Sequence, residues 1–192
     1  MLTYFRPAFV LLVIFTVLTG IAYPLAMTGL AQGLFPLQAN GSLIEVGGGV
    51  IGSELIGQRF VSDRYFHSRP SAAGEKGYDA ASSSGSNLGP LSKTLLDRVK
   101  GEVAKLRRDG ASVIPGDAVT TSGSGLDPDI SPAFAELQVA RVAKARGVTD
   151  ERVRALVVES TAHPAIGLIG EPRVNVLLLN IALDRSFGAA SG

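Results

Sequence analysis

Hydrophobic positions are spread very unevenly along this chain. No charged residue occurs from Pro7 to Ile44, whereas beyond Ile44 charges alternate with short apolar groups. A helix needs about 20 apolar residues to cross a bilayer core about 30 Å thick. The stretch Pro7–Phe35, PAFVLLVIFTVLTGIAYPLAMTGLAQGLF, meets that requirement and predicts one transmembrane helix. Pro24 and Gly29 fall inside it. They are tolerated in lipid, where a backbone that leaves the helix finds no other hydrogen-bond partner. A kink is expected at Pro24. Tyr4, Phe5 and Tyr23 are candidate interface anchors. A cleaved signal peptide shares the charged start and apolar middle, but its apolar region is only about 7–15 residues long. No clean A-x-A site precedes Pro24, so an uncleaved anchor is the expectation.

The remaining chain alternates between loops and periodic segments. Leu34–Asn40 reads as an exit linker in which Pro36 stops the helix. Ser42–Val46 and Val50–Ser53 flank three glycines and predict a β-hairpin. Arg59–Asn87 is rich in Ser, Gly and Ala, yet Phe60, Tyr65, Phe66 and Tyr78 give it material to bury. An irregular, ordered loop is expected there. Gly89-Pro90 opens a helix carrying Leu91, Leu95, Val99, Val103 and Leu106, closed by Gly110. A second loop, Ile114–Asp129, leads to Ser131-Pro132, a cap followed by proline at the first helical position. That helix runs to Arg146 and ends at Gly147. Thr149 caps a third helix with Val153, Leu156 and Val157, and Val174–Leu183 is expected to be a fourth. The predicted fold class is α+β: one N-terminal transmembrane helix (residues 1–35) followed by a single soluble domain (36–192).

Charge sets the expected orientation. Arg6 and the free amino terminus precede the apolar run, and positive residues are retained in the cytoplasm. The domain should therefore be translocated. Over 192 residues the net charge is +1. The longest basic cluster, Lys105-Leu106-Arg107-Arg108, reads as a solvated helix face rather than a nucleic-acid footprint. The absence of cysteine excludes disulfides, thiolate metal sites and thiol nucleophiles. His67 and His163 are the two histidines, too few for a histidine-rich metal centre.

Several motifs invite chemistry and fail on context. Gly47–Gly52 spells G-x-G-x-x-G, but no helix follows to receive a pyrophosphate and no acidic residue stands about 20 positions on, so a hairpin turn is expected. Asp127-Pro128-Asp129-Ile130-Ser131 has alternating oxygen groups, as a calcium loop does. That loop wants glycine sixth and glutamate twelfth, where this chain has Pro132 and Gln138. Turn formation and helix capping fit better. Ser124, His163 and Asp127 or Asp129 are the only candidates for a hydrolytic triad, and no G-x-S-x-G elbow is present. His163, directly before Pro164, reads as a surface residue. Neither a phosphate-binding G-x-x-x-x-G-K-[ST] nor the phosphorylated D-K-T-G-T of P-type ATPases occurs.

Read in order, the polar segments resemble one family. Tyr65-Phe66 with Arg69-Pro70-Ser71-Ala72 is similar to its YF-x-x-RPSA element, and Ser84–Pro90 to its SGGSNLGP element. Val119–Pro132 resembles VT-x-SGSGLDP-x-ISP. Gln138, Arg141, Val142, Ala143, Ala145, Arg146 and Gly147 follow Q-x-x-RVA-x-ARG. Gly170–Leu177 reads GEPRVNVL, and Leu179-Asn180 continues it. The family is the C subunit of the Kdp potassium-transporting P-type ATPase. The resemblance spans nearly the whole chain and departs from the family at His163-Pro164 before Gly167.

The resemblance implies an accessory, non-catalytic subunit of a bacterial inner-membrane potassium pump. Its partners would be a channel-like potassium-binding subunit and an ATP-hydrolysing subunit, besides the lipid bilayer. The family role is a catalytic chaperone that raises ATP affinity. ATP enters only through that role, since no motif here binds a nucleotide and no metal site is read. Because ATP is cytoplasmic and the domain is expected outside, the effect would be indirect; the alternative is a reversed orientation. A structural subunit of another envelope complex and a secreted hydrolase are the rival classes. No residue is assigned to catalysis. Candidate partner-binding positions are Gly29 and Gly33 in the membrane helix, Ser122, Gly123, Ser124, Gly125 and Asp127 in the second loop, and Gln138 and Arg141 on the helix after it.

Overall fold

A computed structural model describes residues 2–164 and 170–188. The departure at Gly167 and the fate of the C-terminus at Gly192 lie outside these residues. Two compact units are present, Met1–Ile51 and Gly52–Gly192.

In the first unit, helix α1 (Leu2–Val17) passes through a π-helical turn, Leu18–Ala22, into helix α2 (Tyr23–Leu34). Thr3–Leu34 forms 32 continuous residues, none of the apolar window buried by the chain itself. Such a surface suits lipid rather than water. The disturbance expected at Pro24 takes the form of the π turn just before it. Pro24 has no N–H to give and its ring crowds the carbonyl one turn back. Tyr23 N–H instead donates to Leu18 O, five residues back, which widens the turn. Thr19 Oγ1 donates to Phe15 O at 2.6 Å, so its hydroxyl is satisfied within the helix.

Pro36 does end α2, but it also opens a single helical turn, α3 (Pro36–Ala39), where a plain linker was expected. The hairpin follows as β1 (Leu43–Val46) and β2 (Gly49–Ser53). Gly47 and Gly48 form its two-residue turn with φ of 61° and 83°. Two successive positive φ values define the turn that matches strand twist, and glycine takes them without strain.

The second unit packs helices α5 (Pro132–Arg146), α6 (Asp150–Glu159) and α7 (Val176–Phe187) around one apolar core. Phe66, Val142, Val153, Leu179 and Leu183 are fully buried there. Helix α4 (Lys93–Arg108) lies on its margin, with Val99, Val103 and Leu106 half-buried against it. The boundaries of α5 fall where its capping residues place them. Ser131 Oγ accepts from Phe134 N–H at 3.0 Å, and Gly147 closes the helix at φ 68°.

Helix α4 starts later than its apolar spacing implied. Ser92 Oγ accepts from Leu95 N–H at 3.4 Å and caps it, leaving Leu91 outside the helix and 97 % exposed. Three strands of two or three residues add a second sheet. β3 (Asp129–Ile130), β4 (Thr161–Ala162) and β5 (Arg173–Asn175) make an antiparallel sheet in the order β3-β5-β4. The expected fourth helix therefore begins at Val176. Val174 belongs to the central strand, opposite Ile130 and Thr161. Asn175 makes the change of direction, its Oδ1 accepting from Leu178 N–H at 3.1 Å to cap α7.

Candidate functional site

The motif-bearing loops come together in the second unit, and their own hydrogen bonds shape them. Gly57 N–H donates to Leu126 O at 2.7 Å and Ser84 N–H to Ser124 O at 2.9 Å. Ser71 is the hub. Its Oγ donates to Gly125 O at 2.6 Å and accepts from the N–H groups of Tyr78 and Ala73 at 2.9 and 3.1 Å. Beside it Arg69 Nη1 pairs with Asp127 Oδ2 at 2.8 Å. The other carboxylate oxygen of Asp127 accepts from Asp129 N–H at 3.0 Å, closing the turn into β3. Tyr78 stands in left-handed backbone at φ 60°, a conformation that costs a non-glycine residue about 1–2 kcal/mol. Its phenol donates to Arg69 O at 2.6 Å. Burial is the main cause pushing that phenol up to about 12, so it stays a donor across the physiological range.

Helices α5 and α7 hold the preceding loop by paired amide bonds. Asn180 Oδ1 accepts from Phe66 N–H at 2.8 Å while its Nδ2 donates to Phe66 O at 3.0 Å. Gln138 repeats this on the next residue, with His67 N–H donating to Oε1 at 2.7 Å and Nε2 donating to His67 O at 3.0 Å. Arg141 Nη1 donates to the carbonyls of Asp63 and Tyr65 at 2.9 and 3.0 Å. Arg146, its side chain fully buried, bonds Arg64 O at 2.7 Å, pairs with Asp184 at 2.8 Å and stacks on the Tyr65 ring. His67 lies between Ser62 O, 3.0 Å from Nε2, and Arg141. Burial and the nearby guanidinium lower its pKa below 6.5.

The expected site residues thus fall into three groups. Gln138, Arg141, Asp127 and Gly125 are engaged with the rest of their own domain. Gly125 is buried at φ 68°, and a Cβ there would stand 2.7 Å from Ser84 O and 2.8 Å from Ala73 N. Gly123 and Ser124 form the exposed lip of the same loop with Ser122 half-buried beside them, and nothing lies within 4 Å of a Cβ added at Gly123. Gly29 and Gly33 lie in α2, each with open space around it. Asn180, Arg146 and Ser71 were not assigned roles from sequence. The polar Asn180 inside VLLLNIAL was the available signal. Among the described residues no cluster of three metal-binding side chains occurs, and the ring of His67 is bonded to a backbone carbonyl rather than to a serine hydroxyl.

Comparison with known sequences fixes the family. Residues 5–185 match KdpC, described as K+-transporting ATPase, c chain. This chain belongs to the KdpC family. It is 60 % identical over 189 residues to the potassium-transporting ATPase KdpC subunit of Caulobacter vibrioides strain NA1000, covering 97 % of this chain and 95 % of the relative. The KdpC subunit of Rhodopseudomonas palustris strain CGA009 is 58 % identical over 196 residues, covering 96 % and 98 %. That of Methylobacterium nodulans is 56 % identical over 200 residues, covering 98 % and 100 %. The matched span takes in the apolar helix, the hairpin and the loop cluster alike, so KdpC membership applies to both units.

Two outcomes follow from the geometry. Gly125→Ala meets both a left-handed backbone and a close contact, and should cost about 2–4 kcal/mol in denaturant unfolding. Gly123→Ala should change stability by less than about 0.5 kcal/mol. The second concerns pH. Because folding lowers the His67 pKa, the fold favours the neutral ring. Its contribution is present above pH 6.5 and is lost as pH falls through the folded value. The melting temperature should therefore drop between pH 7.5 and 5.5, and His67→Gln should flatten that drop.

Proposed function

We propose that this chain is a non-catalytic, membrane-anchored subunit of an ATP-driven potassium uptake complex. It binds a channel-like subunit and an ATP-hydrolysing subunit, and raises the ATP affinity of the latter without touching the nucleotide. The observation that carries this reading is the full-length match to KdpC subunits by a chain with one lipid-suited helix. The loop cluster adds support. Its charged and amide side chains are spent on holding backbone in place, which suits a rigid surface presented to a partner.

Arg6 ahead of the uncharged run favours a cytoplasmic N-terminus and an extracytoplasmic domain in the bacterial inner membrane. A C-terminal reporter active only outside the cytoplasm should be active; activity of a cytoplasm-only reporter would reverse the orientation. The helix docks through Gly29 and Gly33, four residues apart, because close packing rather than hydrophobic burial drives helix association in lipid. The loop lip Ser122–Ser124, exposed at Gly123 and Ser124, is the domain's contact. An effect on ATP from across the membrane is then a coupling between sites, which requires this subunit to bind one pump state more tightly than another.

The test replaces Gly29 and Gly33 together by leucine. The variant should no longer co-purify with the pump in detergent, and the KM for ATP of the remaining complex should rise by at least about fivefold. Unchanged co-purification defeats the docking face. An unchanged KM in a complex shown to lack the subunit defeats the role in ATP affinity.

A further inference from the structure

Helix α4 concentrates the charge of the chain. It holds six basic residues against Asp97 and Glu102, an excess of four positive charges where the whole chain has an excess of one. The remainder is net negative. Lys93, Lys100 and Arg107 are spaced seven apart, so they follow one line along the helix, about 10 Å between neighbours. All three are exposed, and among the described residues none takes part in an ion pair. Leu96, 51 % exposed, flanks the line between Lys93 and Lys100, and Leu91, 97 % exposed, precedes it. Asp97 borders its other side. Val99, Val103 and Leu106 face the domain core instead. The exposed leucine and cations are therefore surplus to the fold.

We propose that this stripe of α4 rests on the bilayer surface, its cations on anionic lipid headgroups and its leucines at the acyl boundary. A basic helix face edged by leucine is the composition that lies at a membrane interface. The bilayer is also always within reach. From Leu34 to Gly52 the chain can span at most about 65 Å, and a domain of about 140 residues has a radius of gyration of only about 14 Å. Tethering makes the contact intramolecular, so weak individual attractions suffice. Each cation near an anionic surface strengthens binding about fivefold, and three together about a hundredfold. This surface is separate from the loop lip assigned to partner subunits and stands without the role in ATP affinity.

The chain has no cysteine, so Leu96→Cys provides a single labelling site. The full-length variant, carrying an environment-sensitive fluorophore, is placed in nanodiscs containing a lipid-borne quencher. Quenching should be at least about twofold greater in discs with phosphatidylglycerol than in discs of phosphatidylcholine alone. It should fall to the neutral-lipid level in 0.5 M NaCl, with the cations of the stripe unchanged. Lys93→Glu, Lys100→Glu and Arg107→Glu together should abolish the difference at low salt. A label at Val158→Cys, a position 69 % exposed on α6, should show none. Equal quenching in both lipids, or quenching indifferent to salt, overturns the proposal. So does protection of the Leu96→Cys label only when the other pump subunits are added, which would make α4 a protein interface.

Discussion

Two side-chain amides hold the irregular half of this domain to its helical half. Asn180 of α7 and Gln138 of α5 each close a pair of hydrogen bonds on the N–H and C=O of one residue, Phe66 and His67 in turn. The arrangement lets a loop satisfy its backbone as a strand would, without a neighbouring strand. Phe66 can then be fully buried among apolar side chains. A backbone buried without such partners would cost about 1–3 kcal/mol for each group left unpaired. Removing one amide thus leaves a buried donor and a buried acceptor exposed to the same penalty.

The remaining loop structure hangs from that junction. Residues on either side of the clamp are fixed by Arg141 and Arg146 on one flank, and by Arg69, Ser71 and Tyr78 on the other. Through Ser71 and Arg69 the order passes to Gly125 and Asp127, and through Asp127 and Asp129 to the start of β3. Arg173 then pairs with Asp129 at 3.0 Å from the neighbouring strand. Since both arginine pairs at Asp127 and Asp184 are partly desolvated, losing one partner costs more than an exposed pair would contribute. The loops owe their order to this chain of contacts rather than to regular secondary structure.

What could be read from the sequence was whatever has a long period or a strong local stop. The lipid-suited helix, the glycine hairpin and α5 between Ser131 and Gly147 are of this kind. Strands of two or three residues carry no alternation to detect, so the sheet built from Asp129–Ile130, Thr161–Ala162 and Arg173–Asn175 was not legible. Leu91 fits the apolar spacing of α4, yet the Ser92 cap excludes it, because a local hydrogen bond decides the boundary where packing does not. The family motifs singled out Gln138 and Arg141 from the sequence. They could not say that Gln138 and Arg141 turn inward to the backbone of a loop some seventy positions earlier.

Amide hydrogen exchange in an Asn180→Leu variant tests most directly whether the loops depend on the clamp. Leucine keeps the side chain's size and removes both bonds to Phe66. Protection should fall together at Phe66, His67, Tyr78, Leu126 and Asp129, while the helical amides of α5 and α6 keep theirs. Loss confined to Phe66, or loss spread evenly through the helices, would contradict a loop network that hangs from this junction.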